Sequence, residues 1–558
     1  MFKNKKYISL ILAVFMLISV NINLFAEEDA VKVLKPIMNE EVEKLDEVVE
    51  KEEALKAGDL EIGEETTPIN VGAGSTYTTT PDDFYYQNGL IMTFTDEAIN
   101  KIKASGDVIL KLPEFDPQGR AVTGVSNSAF SNVTEGMGLT NNFIVEIPDS
   151  YREIQELAFF RLKVANLVVT TNSNLDIKMG AFAGCSIEHA TFSSNGGNIN
   201  IGKYAFALSA NENANASALE FRAENGGKIN IADFAFYGGK EEDVGLLDAD
   251  TMERIPLGKP NYSGYKYVGI LSGVETIGKM AFFRNPIETL LFHSDVGTGA
   301  EDTDLKSIGD FAFAGINLKD SIILKNKAAL ETIGVGAFYA ASGKTPQAGN
   351  IEIENNKSLK TISPYAFSNN AFTGDVIIKD NPALEVIDHS SFLNGDVLIT
   401  SMGTGEDKEL TNYFNVEEGV EAPYYKGNLV LENLPSLTKI GAQAFTHDGI
   451  IGKYERDESG NYVLENGMRI TRTFQLKESR EKVCQNGFTG LTFKSLPKLK
   501  TIEEYAFMDN NFKSELDFKT NAPNLQNVLL SAFNRSGING TLVLNENLLN
   551  ISESAFFD

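Results

Sequence analysis

The chain has 558 residues, too many for one compact core, and length alone leaves open several globular domains or one long array. Tryptophan is absent, Phe is twice as frequent as Tyr (36 against 18), and Gly is abundant, a balance that leans toward the array. The formal charge of -28 argues against nucleic acid and anionic lipid as partners, since both call for a basic footprint.

Lys3, Lys5 and Lys6 precede an unbroken apolar stretch, Ile8 to Val20, and neutral residues then lead to Ala26 before the chain turns acidic at Glu27. This is the pattern of a secretory signal peptide, residues 1–26, too short and wrongly flanked for a membrane span. No later stretch is long and apolar enough to cross a bilayer. Residues 27–65 carry fifteen Asp and Glu against five Lys and Arg, although Met38, Val42, Leu45 and Val49 recur at helical spacing. The composition reads as a solvated acidic spacer, and the Thr- and Gly-rich stretch Thr66 to Pro81 as a linker, so 27–82 is set apart from the fold.

Residues 83–120 differ in pattern from the long stretch after them. Asp96 and Glu97 open a helix running to Ala104, with acid well placed in its first turn. Val108 to Leu112 form a strand and Asp116-Pro117-Gln118-Gly119 a turn. An array needs an atypical terminal unit, and this segment is the expected N-terminal cap.

From 121 to 558 the chain repeats. Ala-Phe recurs with its ring at Phe130, Phe159, Phe182, Phe206, Phe236, Phe282, Phe313, Phe338, Phe367, Phe445, Phe507, Phe533 and Phe556, and Ser391-Phe392 is a substituted copy, giving about 14 repeats. Six intervals are 23 to 26 residues and four are 29 to 31; those of 46, 53 and 62 mark inserted loops, expected at 237–270, 400–426 and 446–488. Five residues before every ring stands Ile or Val, from Val125 and Ile154 through to Val528 and Ile551. Farther upstream lies a short apolar-x-apolar strand such as Ile351-Glu352-Ile353. Two residues past it comes a polar corner residue: Thr171, Ser194, Ser294, Asn326, Asn355, Asp380, Ser401, Asn433, Ser495 or Thr520. One coil reads as strand, corner, buried Leu, Ile, Ala-Phe and return, and stacked coils complete a core that none can form alone.

Two cysteines, Cys185 and Cys484, fall about nine coils apart, on the order of 40 Å at about 4.8 Å per layer, so both are expected as free thiols. The chain stops two residues past Phe556 on an open coil, which favours a fragment of a longer protein over end-to-end assembly.

The pattern Leu-x-x-Ile-x-x-x-Ala-Phe, seen for example through Ile177-Lys178-Met179-Gly180-Ala181-Phe182-Ala183-Gly184-Cys185, resembles the BspA-like, treponemal-type leucine-rich repeats of bacterial surface proteins. The resemblance covers roughly residues 120 to 558. It implies a leucine-rich-repeat solenoid, β-rich with short strands and turns, in which Cys185 is a packed consensus position. For function it implies a surface adhesin that meets host extracellular-matrix proteins or other bacteria.

No catalytic constellation stands out. His189, His293, His389 and His447 lie in different coils without metal spacing, and Cys484 has no His close in sequence. The expectation is therefore no enzyme, cofactor or metal. What the coils offer is a sheet face and loops. The middle strand residues point outward. Val168, Val543 and five from Leu291 to Val430 are apolar. Those five, Leu291, Ile323, Ile377, Leu398 and Val430, are candidate partner contacts; alternatively such residues merely suit short strands or lie under an insertion. The loop tyrosines Tyr262, Tyr265, Tyr267, Tyr424 and Tyr425 either touch a partner or pack the loops onto the frame. Two functions remain: a secreted or cell-surface adhesin binding an extracellular or host protein or glycan, and a scaffold presenting an enzymatic or wall-binding domain encoded beyond residue 558.

Overall fold

The computed structural model describes residues 75–131, 133, 136–209, 217–239, 264–292, 302–341, 347–370, 372–394, 425–447 and 487–557, with the backbone alone of 450–454, 464–465, 468–469 and 471–476. The signal peptide, the acidic spacer, His293, Cys484, Leu398, Tyr262, Tyr424, Ser294 and Ser401 lie outside the described residues.

Parallel strands stack in a repeat arrangement with few helices, the architecture of a leucine-rich-repeat solenoid. The apolar-x-apolar segments form two runs of parallel strands. Eight, from Tyr77–Thr78 to Thr289–Phe292, make one sheet, and five, from Ile322–Lys325 to Gly490–Lys494, make another. The corner behaves as its residue types demand at Asn326, Asn355, Asp380, Asn433 and Ser495, where φ lies between 53° and 58°; short polar side chains tolerate this left-handed region. Thr171 and Ser194 end their strands, Val164–Thr171 and His189–Asn195, by side-chain bonds to nearby backbone instead: Thr171 Oγ1 donates to Ser173 O at 2.7 Å and accepts from Ser173 N at 3.0 Å, and Ser194 Oγ donates to Gly197 O. Thr520 departs from the expectation, lying in the helical turn Phe518–Asn521.

A second ladder was not foreseen. The Ile or Val five residues before each ring lies on a strand of its own, often only two residues long, as in Glu153–Ile154, Ser307–Ile308 and Thr332–Ile333. Together with the hairpin Phe84–Gln87 and Leu90–Phe94 these build a sixteen-stranded sheet. A third ladder runs through Ala-Phe itself. Each Phe N–H donates to the carbonyl of the residue before the next ring, from Phe130 to Ala158 (2.7 Å) through Phe338 to Ala366 (2.7 Å) to Phe533 and Ala555 (2.7 Å). That bond requires close backbones, which explains the small Ala or Ser before every ring.

The residue two before each ring has positive φ throughout, including Leu157, Tyr204, Phe234, Met280, Phe311 and Tyr365. Non-glycine residues pay about 1–2 kcal/mol there. The conformation persists because neighbouring coils bond to it, as Phe234 N–H does to Lys279 O and Phe311 N–H to Val335 O, both at 2.8 Å. The rings form one column: Phe159–Phe182 at 4.6 Å and 10°, Phe282–Phe313 at 5.1 Å and 3°, Phe313–Phe338 at 5.3 Å and 9°, ending with Phe533–Phe556 at 5.3 Å and 3°. Cys185 packs beside it as a free thiol, its Sγ donating to Phe159 O at 3.0 Å. A smaller apolar cluster lies apart from this core, with Phe160, Tyr204, Phe234, Tyr237, Met280, Phe283, Phe311 and Tyr339 interlocked at the Ala-Phe turns.

The first unit contains the expected helix, Asp96–Lys103, N-capped by Thr95 and burying Ala98 and Ile102. The linker boundary at 82 is drawn too late. Tyr77–Thr78 already pairs with Val108–Ile109, and the buried Asp83 carboxylate accepts from Tyr77 Oη at 2.7 Å, Thr80 N at 2.6 Å and Thr80 Oγ1 at 2.9 Å. Thr and Gly content hid a strand that pairs with the cap and is tied by Tyr77 to that buried carboxylate.

Charge is ordered from coil to coil. Beside the second ladder the side chains alternate as Glu275, Lys306, Glu331, Lys360 and Glu385, with Lys306 paired to Glu275 and Lys360 to Glu331. On the five-stranded sheet they alternate as Lys325, Glu354, Lys379, Glu432 and Lys494, in register.

Candidate interaction surface

The five-stranded sheet brings its outward residues into three parallel rows. The middle row is Ile323, Glu352, Ile377, Val430 and Thr492, each opposite the next. Ile323 is the most open of them at 45% exposure, while Ile377 and Val430 are half-buried. On one side runs the alternating charge row, where Lys325 pairs with Glu352 and Glu354, and Glu432 takes Lys494 at 2.9 Å and Lys379 at 3.5 Å. On the other side the polar residues cap one another. Asn350 N–H donates to Ser321 Oγ (2.8 Å), Asp375 N–H to Asn350 Oδ1 (2.9 Å), and Asn428 N–H to Asp375 Oδ1 (2.7 Å).

The result is an apolar stripe one side chain wide between two polar rims, the anatomy of a protein-binding surface. Glu352 interrupts it. Partial burial works against its charge, but hydrogen bonds from Lys325 and from Asn350 (2.9 Å) outweigh this and hold its carboxyl below the usual range.

Leu291 belongs to the neighbouring eight-stranded sheet. There the corresponding row runs Val168, Thr191, Glu220, Gly269 and Leu291. Gly269 breaks the row; it falls within 237–270, which the sequence reads as an inserted loop, so no strand residue is expected there. Tyr267 fills the gap. A Cβ at Gly269 would meet the Tyr267 hydroxyl at 3.2 Å and Leu271 Cδ2 at 3.3 Å. Burial and the nearby Glu220 push the Tyr267 phenol up to about 12, and the ring stays half-exposed on the face.

Tyr265 and Tyr425 are not surface residues. Both are buried to 1–2% exposure, and burial pushes both phenols up. Tyr265 shares a 2.7 Å hydrogen bond with Ser209, and Tyr425 donates to Phe367 O at 2.6 Å. They mark where two of the inserted loops return to the frame, and a buried asparagine three residues past a ring secures each return. Asn285 donates to Phe236 O (2.5 Å) and accepts from Tyr265 N (3.0 Å). Asn370 donates to Phe338 O (2.9 Å) and Phe367 O (2.8 Å), beneath Tyr425. Asn510 serves the third loop, donating to Phe445 O (2.9 Å) and accepting from Phe488 N (3.1 Å). Tyr425 and Phe488 then stack at 5.2 Å and 7°. The loops are accordingly narrower than expected: the frame includes Tyr237, the strand Tyr267–Ser272, Tyr425, Thr446, His447 and Phe488.

A sequence profile of the BspA type leucine-rich repeat region matches residues 123–237, 300–413 and 438–558, in six copies. The chain belongs to the BspA type leucine-rich repeat family. Its coils are protein-interaction repeats. None of the curated proteins matches the chain. Among solved structures the BspA type array is similar to a leucine-rich repeat protein from Bacteroides ovatus ATCC 8483, with 17% identity and a TM-score of 0.25 over 68% of this chain and 92% of that one. It is similar to the pneumococcal vaccine antigen PcpA, with 14% identity and a TM-score of 0.27 over 72% and 76%. It is similar also to a leucine rich cell surface protein from Faecalibacterium prausnitzii A2-165, with 12% identity and a TM-score of 0.25 over 86% and 95%.

Among the described residues no group of three or more His, Cys, Asp and Glu could hold a metal, and no helix is long and apolar enough to cross a membrane. His189, His389 and His447 stay apart in separate coils. His447 is fully buried, which drives its imidazole down to about 3.

Proposed function

We propose that the protein is a secreted or cell-surface adhesin that binds an extracellular or host protein through the outward face of the five-stranded sheet, without catalysis. The stripe of Ile323, Ile377 and Val430 between its polar rims is the observation that carries this reading. Outward-facing apolar side chains clustered on one sheet face mark contact sites, and a rigid sheet offers them with little ordering entropy to lose on binding. Leu291 and Tyr267 extend the surface, and the signal peptide pattern at residues 1–26 accords with export. Leu398, Tyr262 and Tyr424 are further contact candidates on the same reading.

The test is binding of immobilised matrix proteins by the intact chain, compared with Ile323→Lys/Ile377→Lys/Val430→Lys and with a control, Thr332→Lys/Thr361→Lys, on the second ladder. Loss of at least tenfold in the first variant alone is expected. Equal binding by the triple variant and the native chain removes the sheet face from the proposal.

A further inference from the structure

The second ladder carries a surface of another kind. Its outward residues at four successive coils are Asp176, Asn200, Asn230 and Thr276. They hydrogen-bond in one direction. Thr276 Oγ1 donates to Asn230 Oδ1 (3.3 Å), Asn230 Nδ2 to Asn200 Oδ1 (3.1 Å), and Asn200 Nδ2 to Asp176 Oδ1 (2.9 Å), while Lys178 Nζ closes the chain on Asp176 Oδ2 (2.7 Å). These side chains line a shallow open groove of about 400 Å³ together with Met179, Gly202 and Ala232.

We propose that this groove binds a neutral glycan chain lying along the solenoid. A carboxamide has two N–H donors and two acceptor lone pairs. The chain uses one of each at Asn200 and at Asn230, so each amide keeps one donor and one acceptor side by side. Neighbouring sugar hydroxyls, each both donor and acceptor, match that pair. Asp176 at the end of the chain polarises the amides and strengthens the bonds they can still make.

Other ligand classes fit less well. Asp176 has its charge matched by Lys178, and its hydrogen bonds from Asn200 and Lys178 hold its carboxyl below the usual range against the effect of burial. Neither a cation nor an anion therefore finds an uncompensated partner. An added peptide strand would need a free edge, and the backbone here is paired on both sides. The four coils span about 14 Å, three layers of about 4.8 Å, the reach of a short oligosaccharide.

The experiment titrates the intact chain calorimetrically with cellohexaose, mannohexaose, maltohexaose and, as the acidic arm, hexagalacturonate. At least one neutral hexasaccharide is expected to bind, with affinity falling tenfold or more in Asn200→Ala/Asn230→Ala and about threefold in Thr276→Val. Thr276→Val removes only a hydroxyl at the groove's end and keeps the fold if the double variant does not. Ile323→Lys/Ile377→Lys/Val430→Lys should bind the sugar as the native chain does, which separates this surface from the protein-binding face. Binding of hexagalacturonate alone, binding of none of the four, or equal binding by both groove variants overturns the proposal.

Discussion

Replacing Phe338 by Ala tests the ring column where it is most enclosed. Phe338 is fully buried, stacked on Phe313 at 5.3 Å and Phe367 at 5.2 Å, and met edge-on by Phe292 at 6.2 Å. Truncation leaves a cavity that rigid coils above and below cannot close, which costs about 3–5 kcal/mol. The two stacked contacts account for about 1–3 kcal/mol of that, at about 0.5–1.5 each. Phe556 is the internal comparison, half-buried with a single stacked neighbour, Phe533, so Phe556→Ala should cost less than half as much. Repeat arrays unfold by segments, so a single midpoint is a poor measure. Hydrogen exchange read by mass spectrometry resolves the coils. A loss of about 4 kcal/mol speeds exchange roughly a thousandfold around Ile333 and Ile362, with the coils near Phe159 unchanged. Uniform loosening along the whole chain, or equal effects at Phe338 and Phe556, would refute the nearest-neighbour reasoning.

Three further perturbations address the turns, the loop anchors and pH. A methyl group at Gly336 would stand 2.3 Å from Phe311 Cε1, so Gly336→Ala should destabilise by about 2–3 kcal/mol, whereas Gly119→Ala, in open space, should cost about 1 kcal/mol; denaturant titration compares them. Asn285→Ala strips Phe236 O and Tyr265 N of a partner in the core, about 1–3 kcal/mol for each group, and should release exchange protection at residues 264–266 while the ring column stays protected. His447 stays neutral in the folded chain because burial, aided by Lys426, lowers it to about 3, whereas the unfolded chain takes up its proton near pH 6.5. Its contribution is therefore complete above about pH 7 and shrinks as pH falls from 6.5 toward 3, by about 1.4 kcal/mol per unit or roughly 2 kcal/mol at pH 5. His447→Gln should flatten the difference between midpoints measured at pH 7.5 and pH 5, and an unchanged slope would count against the burial of a neutral imidazole.

Much of the fold is legible because coil stacking writes one requirement many times. Ala before Phe, and Ile five residues upstream, recur since every coil meets the same neighbour geometry. The second ladder was not legible for the opposite reason. Strands such as Thr332–Ile333 are too short to show any period, and only stacking against Ser307–Ile308 and Thr361–Ile362 makes them strands. Left-handed Leu157 and Tyr204 escape any propensity rule, because neighbouring coils hold a conformation that their own side chains disfavour. On the candidate surface, Ile323, Ile377 and Val430 followed from strand alternation. Tyr265 and Tyr425 could not be told from contact residues, since a Tyr on a loop carries the same composition whether its hydroxyl reaches water or, as here, Ser209 and Phe367 O. The glycan groove left only a faint trace, the echo of Asn198-Ile199-Asn200-Ile201 in Ile229-Asn230-Ile231.

The alternating charges bear on how such an array can lengthen. In packing the coils are alike, each presenting Ile or Val, Ala or Ser, and a ring to the next. In sign they are not: the succession Glu275, Lys306, Glu331, Lys360, Glu385 repeats only every second coil. Excising the coil of Glu331 would bring Lys306 and Lys360 to adjacent layers, about 4.8 Å apart, and like charges directly opposite are destabilising. Excising that coil together with its neighbour restores opposite signs. Among these five coils, therefore, removing or repeating a pair keeps opposite signs together, whereas removing or repeating one sets like charges in adjacent layers until one is reversed.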